Sequence, residues 1–323
     1  MTSNQTALVL GATGGIGGEV ASALLKRGWT VRALNRNPSS TSGKSKDAPS
    51  VQWITGDAMN QRDVIQAARD VSLIVHAVNP PGYKNWGQLV LPMIENTIAA
   101  AKASGARILL PGTIYNYGPD AFPILREDSP QNPISKKGAI RAEMERKLRE
   151  ASDRDGVRVL IVRAGDFFGP RALGNNWFTQ GLVKPGKPVT SIMYPGDPAT
   201  GHVWAYLPDL AETMVQLVEQ EPRLATFERF HFGGQWDADG TAFVNAIRRA
   251  SGRSQARVRK FPWALAWLMS PFVPMFREIL EMRYLWREPL RLDNSRLVEF
   301  LGAEPHTPLD TAVRNTLVGI GSI

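Results

Sequence analysis

The sequence contains no cysteine among its 323 residues and only four histidines, which are His76, His202, His231 and His306. The absence of cysteine excludes disulfides and thiolate-bound metal ions. The histidines are too far apart in the sequence to form a metal-binding motif, and we therefore predict no metal site. A chain without cysteine is compatible with a reducing compartment, and we expect a cytoplasmic protein.

The sequence also lacks a hydrophobic run long enough to cross a bilayer. Its most apolar segment, residues 261–276, is short and contains three prolines. We expect this segment to form a helix packed in a smaller lobe, with a contact to a membrane surface or to another subunit as the alternative. The polar N-terminal residues show no basic stretch followed by an apolar one, so we expect neither a signal peptide nor a membrane span.

Acidic residues are in the minority, since 30 of them face 38 lysines and arginines, and the net charge is +8. A basic surface attracts anions of many kinds. The basic clusters are not accompanied by a nucleic-acid-binding motif. We therefore expect phosphate-bearing small molecules as partners and no nucleic acid.

Short apolar runs alternate with amphipathic stretches through the first half of the chain. This pattern predicts strands at residues 7–10, 30–34, 51–54, 71–75, 107–110 and 157–162, and helices at residues 16–27, 91–104 and 136–150. The alternation predicts βαβ units and hence an α/β protein with a Rossmann-type, doubly wound parallel sheet. After residue 170 turn-forming residues become dense, which indicates a smaller, irregular C-terminal lobe for the substrate.

The segment at residues 207–220 has the pattern of a strand end followed by a helix, and we expect it to return to the main sheet. We therefore predict a Rossmann domain over residues 1–170 that is rejoined by residues 203–235. A discontinuous substrate lobe is expected from residues 171–202 and 236–323. A polar loop of biased composition, residues 39–50, separates the second and third predicted strands.

A glycine-rich loop, Gly-Ala-Thr-Gly-Gly-Ile-Gly at residues 11–17, follows the first predicted strand and opens the first helix. Glycine allows the chain to turn sharply, to approach a diphosphate closely and to pack the helix against the strand. The N-terminus of the helix offers free N–H groups to phosphate. These features predict a dinucleotide site that includes Gly11, Thr13, Gly14, Gly15, Ile16 and Gly17.

The end of the second predicted strand indicates which dinucleotide binds. An acidic side chain at this point would hold the ribose 2′-hydroxyl of NAD, but the chain reads Leu-Asn-Arg at residues 34–36. Arg36, beside Asn35, is suited to a 2′-phosphate, and Arg32 is an alternative partner. The sequence therefore favours NADP as the cofactor, with NAD as the alternative.

With this motif and spacing, the chain resembles the extended short-chain dehydrogenase/reductase superfamily, and within it the NAD-dependent epimerase/dehydratase family. The resemblance is carried by residues 11–17, 56–58, 76–79, 113–118, 163–170, 206–211 and 294–301. It implies further cofactor contacts from Asp57, Ala58, Ala77, Val78 and Asn79. It also implies a small-molecule substrate and a homodimer formed through helices near residues 88–104 and 137–151.

The catalytic pair of that family, Tyr-x-x-x-Lys, is replaced here by Lys137 and Arg141. The resemblance assigns Thr113 to the hydroxyl that hydrogen-bonds the substrate oxygen. Arg141 is expected to lower the pKa of Lys137, so that Lys137 acts as a general acid, and Tyr115 and Tyr117 are alternative proton donors. Arg141 is alternatively a ligand of the cofactor ribose or of a substrate phosphate, and the pair is equally compatible with an ordinary charged helix face.

Two functions are consistent with these residues. The first is an NAD(P)-binding oxidoreductase or epimerase/dehydratase-like enzyme with an atypical acid/base group, acting on a carbonyl, alcohol or nucleotide-sugar substrate. The second is a non-catalytic NADP(H)-binding sensor that acts through protein partners, as the resemblance to NmrA-like members of the superfamily implies. In the C-terminal lobe, which holds most of the tryptophans, Asn176, His202 and Tyr206 are candidates for the rim of a substrate pocket.

Overall fold

The structure is a computed structural model that describes residues 5–38, 50–80, 85–172, 176–197 and 199–323. Its strands, numbered in chain order, are β1 (Thr6–Leu10), β2 (Thr30–Asn35), β3 (Gln52–Thr55), β4 (Leu73–His76), β5 (Arg107–Thr113), β6 (Ile124–Leu125), β7 (Val159–Ala164), β8 (Asp166–Phe168), β9 (Ser191–Tyr194), β10 (His202–Tyr206), β11 (Phe227–His231), β12 (Gln235–Asp237), β13 (Arg257–Lys260) and β14 (Arg291–Leu292). Its helices are α1 (Gly15–Lys26), α2 (Gln61–Ala67), α3 (Trp86–Ser104), α4 (Lys136–Asp155), α5 (Leu207–Glu219), α6 (Thr241–Ala250), α7 (Trp263–Met269), α8 (Pro274–Glu281), α9 (Ser295–Leu301) and α10 (Leu309–Gly319). The loop predicted at residues 39–50 lies outside the described residues, except for residue 50.

Seven parallel strands form the central sheet, in the order β11-β7-β5-β4-β1-β2-β3. The chain adds β2 and β3 on one side of β1 and then β4, β5, β7 and β11 on the other side. The strand order therefore reverses between β1 and β4, and in open α/β sheets ligands bind outside the carboxyl ends of the strands at this point. The predicted Rossmann-type parallel sheet is confirmed.

Helices cover both faces of this sheet because successive strand residues point to opposite sides. On one face Val9 and Val75 pack in a core shared with α1 and α5. On the other face Leu8, Leu10 and Ile74 pack in a core shared with α2, α3 and α4. The central strands β1, β4, β5 and β7 are buried on both faces, which explains why the sequence shows them as mainly apolar runs.

A further hydrophobic core lies in the C-terminal part of the chain and contains Phe168, Phe178, Trp204, Phe243 and Trp286. The remaining strands form three short sheets, β12-β10-β8, β13-β9 and β14-β6. In the segment at residues 203–235, β11 joins the central sheet, whereas β10 pairs with β8 and β12 in a short sheet. Within the described ranges, no helix has both the length and the apolar character needed to cross a bilayer.

Candidate active site

A cavity of about 640 Å³ opens at the carboxyl ends of β1, β2, β4 and β5, where the strand order reverses. Most of the site residues predicted from the sequence contribute to its lining. These are Gly11, Thr13, Gly14, Gly15, Ile16, Asn35, Arg36, Asp57, Ala58, Ala77, Val78, Asn79, Thr113, Arg141 and Asn176. The fold therefore gathers the glycine loop, the end of β2 and the N-terminal part of α4 around one space.

Close packing shapes the glycine loop. Gly11 has a φ of +91°, and a Cβ built there would lie 2.5 Å from the carbonyl oxygen of Ala77. A Cβ at Gly17 would lie 2.3 Å from the carbonyl oxygen of Gly11. Gly17 is not part of the cavity lining, so its role is to let α1 pack against the loop rather than to contact a ligand.

The N-terminus of α1 faces the same cavity. Gly14 is the N-cap residue, and no side chain caps the helix there. An α-helix leaves its first N–H groups without intrahelical acceptors. Since Gly14, Gly15 and Ile16 line the cavity, this end of the helix is available to an anion such as a diphosphate.

Arg36 is the exposed cation at the end of β2, and it lines the cavity together with Asn35. The alternative partner named above, Arg32, donates a hydrogen bond to the backbone carbonyl of Arg69 at 2.6 Å. It is not part of the cavity lining. Of the two arginines, Arg36 is therefore the one placed to meet a ligand in the cavity.

His76 also lines the cavity, although the sequence reasoning named it only as a neighbour of Ala77. Its Nδ1 lies 2.8 Å from the hydroxyl of Thr97, which donates to the carbonyl of Met93. Nδ1 must then carry the proton, and Nε2 has no hydrogen-bond partner among the described residues. Burial, together with the charge of Arg141, lowers the pKa of His76 to about 3. His76 is therefore neutral at physiological pH.

Arg141 lies in the cavity one helical turn after the start of α4. Ser135 caps this helix by accepting a hydrogen bond from the N–H of Gly138 at 3.0 Å. The guanidinium of Arg141 lies 5.1 Å from the ring centre of Trp86 and 3.4 Å from the side-chain oxygen of Asn79. These contacts hold a positive charge at the wall of the cavity.

Lys137 is not part of the cavity lining, and its side chain is 3% exposed. Its ammonium lies 2.8 Å from a carboxylate oxygen of Glu281 and also pairs with Glu278, both from α8. The sequence reveals only the neighbouring Arg141, since both glutamates lie more than 140 residues away. The structure therefore places the ammonium of Lys137 in ion pairs with α8 and not in the lining of the cavity, where a proton donor would have to lie.

Thr113 ends β5 in the cavity, and a chain of buried polar groups holds its hydroxyl. The hydroxyl donates to the side-chain oxygen of Asn116 at 3.0 Å, and the amide of Asn116 donates to Glu145 at 2.9 Å. Glu145 forms a bidentate ion pair with the buried Arg163. Burial acts to raise the pKa of Glu145, but the charge and hydrogen bonds of Arg163 more than offset it, so the pKa is lowered.

The two candidate tyrosines do not line the cavity. Tyr117 is fully buried, and its hydroxyl contacts a nitrogen of Arg163 at 2.5 Å and Nε2 of His231 at 2.9 Å. Burial raises the pKa of Tyr117 well above its usual value, despite the nearby charge of Arg163. Tyr115 is half-buried and packs against the C-terminal core. The structure therefore gives neither tyrosine the place of a proton donor in the cavity.

Of the three candidates for a substrate rim, Asn176 lines the cavity, and its amide donates to the carbonyl of Ala172 at 2.7 Å. His202 and Tyr206 lie instead in the C-terminal core. The Nε2 atom of His202 lies 2.7 Å from Asp166, and its ring stacks on Trp286 with centres 3.7 Å apart. Among the described residues that line the cavity there is no tryptophan.

Sequence reasoning does not identify the apolar part of the lining, because such side chains have the same pattern as ordinary core residues. The further lining residues are Leu34, Gly56, Met59, His76, Pro80, Leu89, Met93, Pro111, Phe167, Ala172 and Leu207. Phe167 was within reach of prediction, since it lies in the segment at residues 163–170 that carries the family resemblance. Within the described residues, no cluster of three or more metal-ligating side chains is present.

Known proteins share the sequence pattern and the fold of this chain. A 3-diazoavenalumate denitrifying reductase from Streptomyces sp is 29% identical over 245 residues, which cover 67% of this chain and 76% of that protein. A sterol-4-alpha-carboxylate 3-dehydrogenase, decarboxylating, from Mus musculus is 27% identical over 177 residues. These cover 50% of this chain and 46% of the mouse protein, so the match spans about half of its length.

The solved structure of a UDP-glucuronic acid 4-epimerase from Bacillus cereus, in complex with NAD, has the same fold. It matches with a TM-score of 0.76 and 17% sequence identity, over 98% of each chain. The model of the NAD dependent epimerase/dehydratase family matches residues 7–233, which is most of the sequence. The family resemblance predicted from the sequence is thereby confirmed. This chain belongs to the NAD dependent epimerase/dehydratase family.

Proposed function

We propose that this chain is an NADP(H)-dependent oxidoreductase or epimerase-like enzyme that acts on a carbonyl compound, an alcohol or a nucleotide sugar. The observation that carries the proposal is one cavity lined by the glycine loop, Arg36, Arg141 and Thr113. The N-terminus of α1 suits a diphosphate, and guanidinium groups suit phosphate and ribose oxygens. A bound nicotinamide dinucleotide supplies or accepts a hydride, and the residues of the chain hold the reactants in place.

The preference for NADP over NAD is supported by Arg36. Residues 34–38 contain no carboxylate, whereas a carboxylate is the group that would hold the 2′-hydroxyl of NAD. The exposed guanidinium of Arg36 can form two parallel hydrogen bonds to a 2′-phosphate. The net charge of +8 adds a general attraction for the more highly charged dinucleotide.

In this proposal Thr113 orients the oxygen of the substrate. Its hydroxyl proton is directed to Asn116, so its lone pairs remain to accept a hydrogen bond from a substrate alcohol. Asn116 does not line the cavity and acts as a positioning residue, held by Glu145. Arg141 is assigned to the ribose of the cofactor or to an oxygen of the substrate.

The proton that accompanies hydride transfer is assigned to water in the cavity. Lys137, Tyr115 and Tyr117 were the sequence candidates for this role, and all three lie outside the lining. A positioned general acid or base typically contributes about 10²–10⁴ in rate. We therefore expect turnover that is slow for this family.

Turnover is tested by following the absorbance of reduced nicotinamide with a panel of carbonyl compounds and nucleotide sugars. With substrates that present an alcohol, such as nucleotide sugars, Thr113→Val should lower turnover at least about tenfold while leaving the Kd for NADPH unchanged, because the hydroxyl orients the substrate and not the dinucleotide. Thr226→Val, at an exposed position, is the control. Inactivity with the whole panel despite tight NADPH binding would favour the non-catalytic sensor.

The division into a Rossmann domain and a discontinuous substrate lobe, the homodimer and the cytoplasmic location complete the proposal. The helices named for the dimer contact, α3 and α4, pack side by side in the described structure. Sedimentation velocity of the purified chain distinguishes a dimer from a monomer. The absence of cysteine is the observation that supports a reducing compartment.

A further inference from the structure

Five large apolar side chains are exposed on α7, on α8 and in the turn that joins these helices. We call this group the α7–α8 surface. Its members, with their exposed fractions, are Leu265 (52%), Trp267 (69%), Leu268 (61%), Phe272 (80%) and Met275 (53%). The two helices pack against each other. The opposite side of α7 is anchored, since Ala266 is 1% exposed.

Such a concentration is unusual for the surface of a protein. Single exposed apolar side chains are common, whereas contiguous apolar patches mark sites of contact. Apart from Val258 on β13, the other exposed large apolar residues of the described chain are spread through distant parts of the sequence, for example Met59, Ile134 and Val318. The α7–α8 surface instead places five of them within eleven residues, including a tryptophan and a phenylalanine.

Basic residues accompany this surface. Residues 253–287 contain seven arginines and lysines but only two glutamates, an excess of five positive charges. Arg257, Arg259 and Lys260 are exposed on β13 directly before α7, and Arg277 is exposed on α8. Both glutamates, Glu278 and Glu281, pair with the buried Lys137. They therefore do little to offset the positive charge that the outer surface presents.

The positive charge around the α7–α8 surface indicates which kind of partner covers its apolar side chains. A second copy of the chain would bring two strongly basic surfaces together in a symmetric contact, and like charges across an interface are unfavourable. An anionic bilayer has the complementary charge. It also accommodates tryptophan and phenylalanine at the level of its headgroups.

We propose that the α7–α8 surface docks on an anionic lipid bilayer, with both helices lying in the plane of the membrane interface. Neither helix can span the membrane, because they contain seven and eight residues and a span needs about 20. Stable attachment to a membrane surface requires two contributions, an apolar insertion and a basic attraction. The α7–α8 surface and the arginines and lysine of β13 supply one contribution each.

The docking surface has a fixed relation to the cavity. Lys137 ties α8 to the first turn of α4 through Glu278 and Glu281. One turn further along α4, Arg141 lines the cavity. A bilayer bound to α7 and α8 would therefore lie on the side of the molecule where α4 enters the cavity.

Vesicle flotation of the purified full chain tests the proposal. We expect binding to phosphatidylcholine vesicles that contain about 30% phosphatidylserine, weaker binding in high salt, and little binding to pure phosphatidylcholine. The double variant Trp267→Ser with Phe272→Ser should weaken binding at least about tenfold. The triple variant Arg257→Glu, Arg259→Glu and Lys260→Glu should weaken it by a similar or larger factor.

Matched substitutions outside the surface control for general effects. Ile134→Ser removes an apolar side chain that is 63% exposed, and Arg154→Glu reverses an exposed charge on α4. Both should bind vesicles as the wild type does. Quenching of wild-type tryptophan fluorescence by brominated lipids, which needs no variant, should accompany binding because Trp267 enters the interface.

Three results would overturn the proposal. The first is failure of the wild type to bind anionic vesicles. The second is equal binding by the wild type and by both surface variants. The third is concentration-dependent self-association that disappears in the Trp267→Ser, Phe272→Ser variant, which would assign the surface to a second copy of the chain.

Discussion

At the scale of a single residue, we propose that Arg36 sets the preference between NADP and NAD. It lines the cavity at the end of β2, in a segment without a carboxylate. Arg32 lies four residues earlier, on β2 itself, and it donates a hydrogen bond to the carbonyl of Arg69. Arg36 is therefore the arginine placed to contact a ligand in the cavity, and Arg32 serves as a control position of the same residue type.

We predict that Arg36→Ala raises the Kd for NADPH by roughly 10–100-fold and leaves the Kd for NADH unchanged, because a charge-assisted bidentate contact to the 2′-phosphate is lost. Calorimetric titration of both coenzymes measures the two constants. Arg32→Ala is the control and should bind both as the wild type does. An equal loss of NADH affinity in Arg36→Ala would contradict the assignment.

Much of the cofactor side of the candidate site could be predicted at this scale. The glycine loop and residues 34–36 are local in sequence, and their spacing carries the information. The catalytic side could not be predicted, because its partners are remote: Lys137 is paired with side chains more than 140 residues away. The same holds for Tyr117, which contacts His231, and for His202, which stacks on Trp286. Both partners are distant in the sequence.

At the scale of elements, two glycines at the junction of the glycine loop and α1 have different roles. Gly14 is assigned to ligand binding, and Gly17 allows α1 to pack against the loop. A Cβ at Gly14 would meet the Gly11 carbonyl oxygen at 3.3 Å, which requires a small adjustment. At Gly17 the corresponding distance is 2.3 Å, which no adjustment of a side chain can relieve. The two glycines are three residues apart and serve different purposes.

Gly14→Ala is expected to fold and to raise the Kd for NADPH at least about tenfold, because the new methyl group lies where the diphosphate approaches. Gly17→Ala is expected to lower the melting temperature sharply, because α1 must move away from the loop. Thermal unfolding together with calorimetry measures both effects. A Gly17→Ala protein as stable as the wild type would contradict the packing role.

Lys137 connects two elements, α4 and α8. Removal of one partner from a buried ion pair leaves charges that are incompletely compensated. We predict that Lys137→Met lowers the free energy of unfolding by about 2–4 kcal/mol but leaves the Kd for NADPH unchanged. Urea denaturation and calorimetry measure the two quantities.

Arg146→Met is the matched control, since Arg146 pairs with Glu143 and Glu150 on the exposed side of the same helix. It should leave the urea midpoint almost unchanged, because exposed ion pairs contribute little. A Lys137→Met protein of wild-type stability, with turnover selectively lost, would restore Lys137 as a catalytic residue.

The elements themselves were predictable where the apolar pattern is long. Helix α3 begins at Trp86, earlier than the start expected at residue 91. The sequence conceals this start because Gly87 and Pro92 resemble helix breakers, although both lie within the first two turns of α3. Helix α2 was not predicted, since its seven residues bury only Val64 and Ala67. Strand β11 was not predicted, because three of its five residues are polar or charged and it lies at the edge of the sheet, so it lacks the apolar run of a central strand.

At the scale of the whole molecule, a buried polar network lies beneath the cavity and reaches from α4 through β7 to β11. Its members Glu145, Arg163, Tyr117 and His231 are all less than 10% exposed. His231 accepts at Nε2 and faces the carbonyl of Leu125 with Nδ1. Burial and the charge of Arg163 lower the pKa of His231 to about 3.

This network makes stability depend on pH. The unfolded chain binds a proton at His231 below about pH 6.5, whereas the folded chain does not until about pH 3, so unfolding becomes easier as the pH falls through this window. Lowering the pH from 7 to 5 should cost about 2 kcal/mol through this residue.

Urea denaturation at several pH values measures the effect. In His231→Gln, the free energy of unfolding should fall by about 2 kcal/mol less between pH 7 and pH 5 than it does in the wild type. The variant is expected to be less stable than the wild type at every pH. His306→Gln, at an exposed position, should keep the wild-type slope. If the free energy of unfolding of His231→Gln depended on pH as steeply as that of the wild type, the pKa of His231 would be the same in the folded and the unfolded chain, which contradicts the prediction.

The central claim is that the cavity at the carboxyl edge of the sheet binds a nicotinamide dinucleotide. Calorimetric titration of the purified wild-type chain with NADP(H) and NAD(H) tests it most directly. The account predicts one site per chain with tighter binding of NADP(H). Absence of binding by either coenzyme, in either redox form, to a chain shown to be folded by its thermal transition would contradict it.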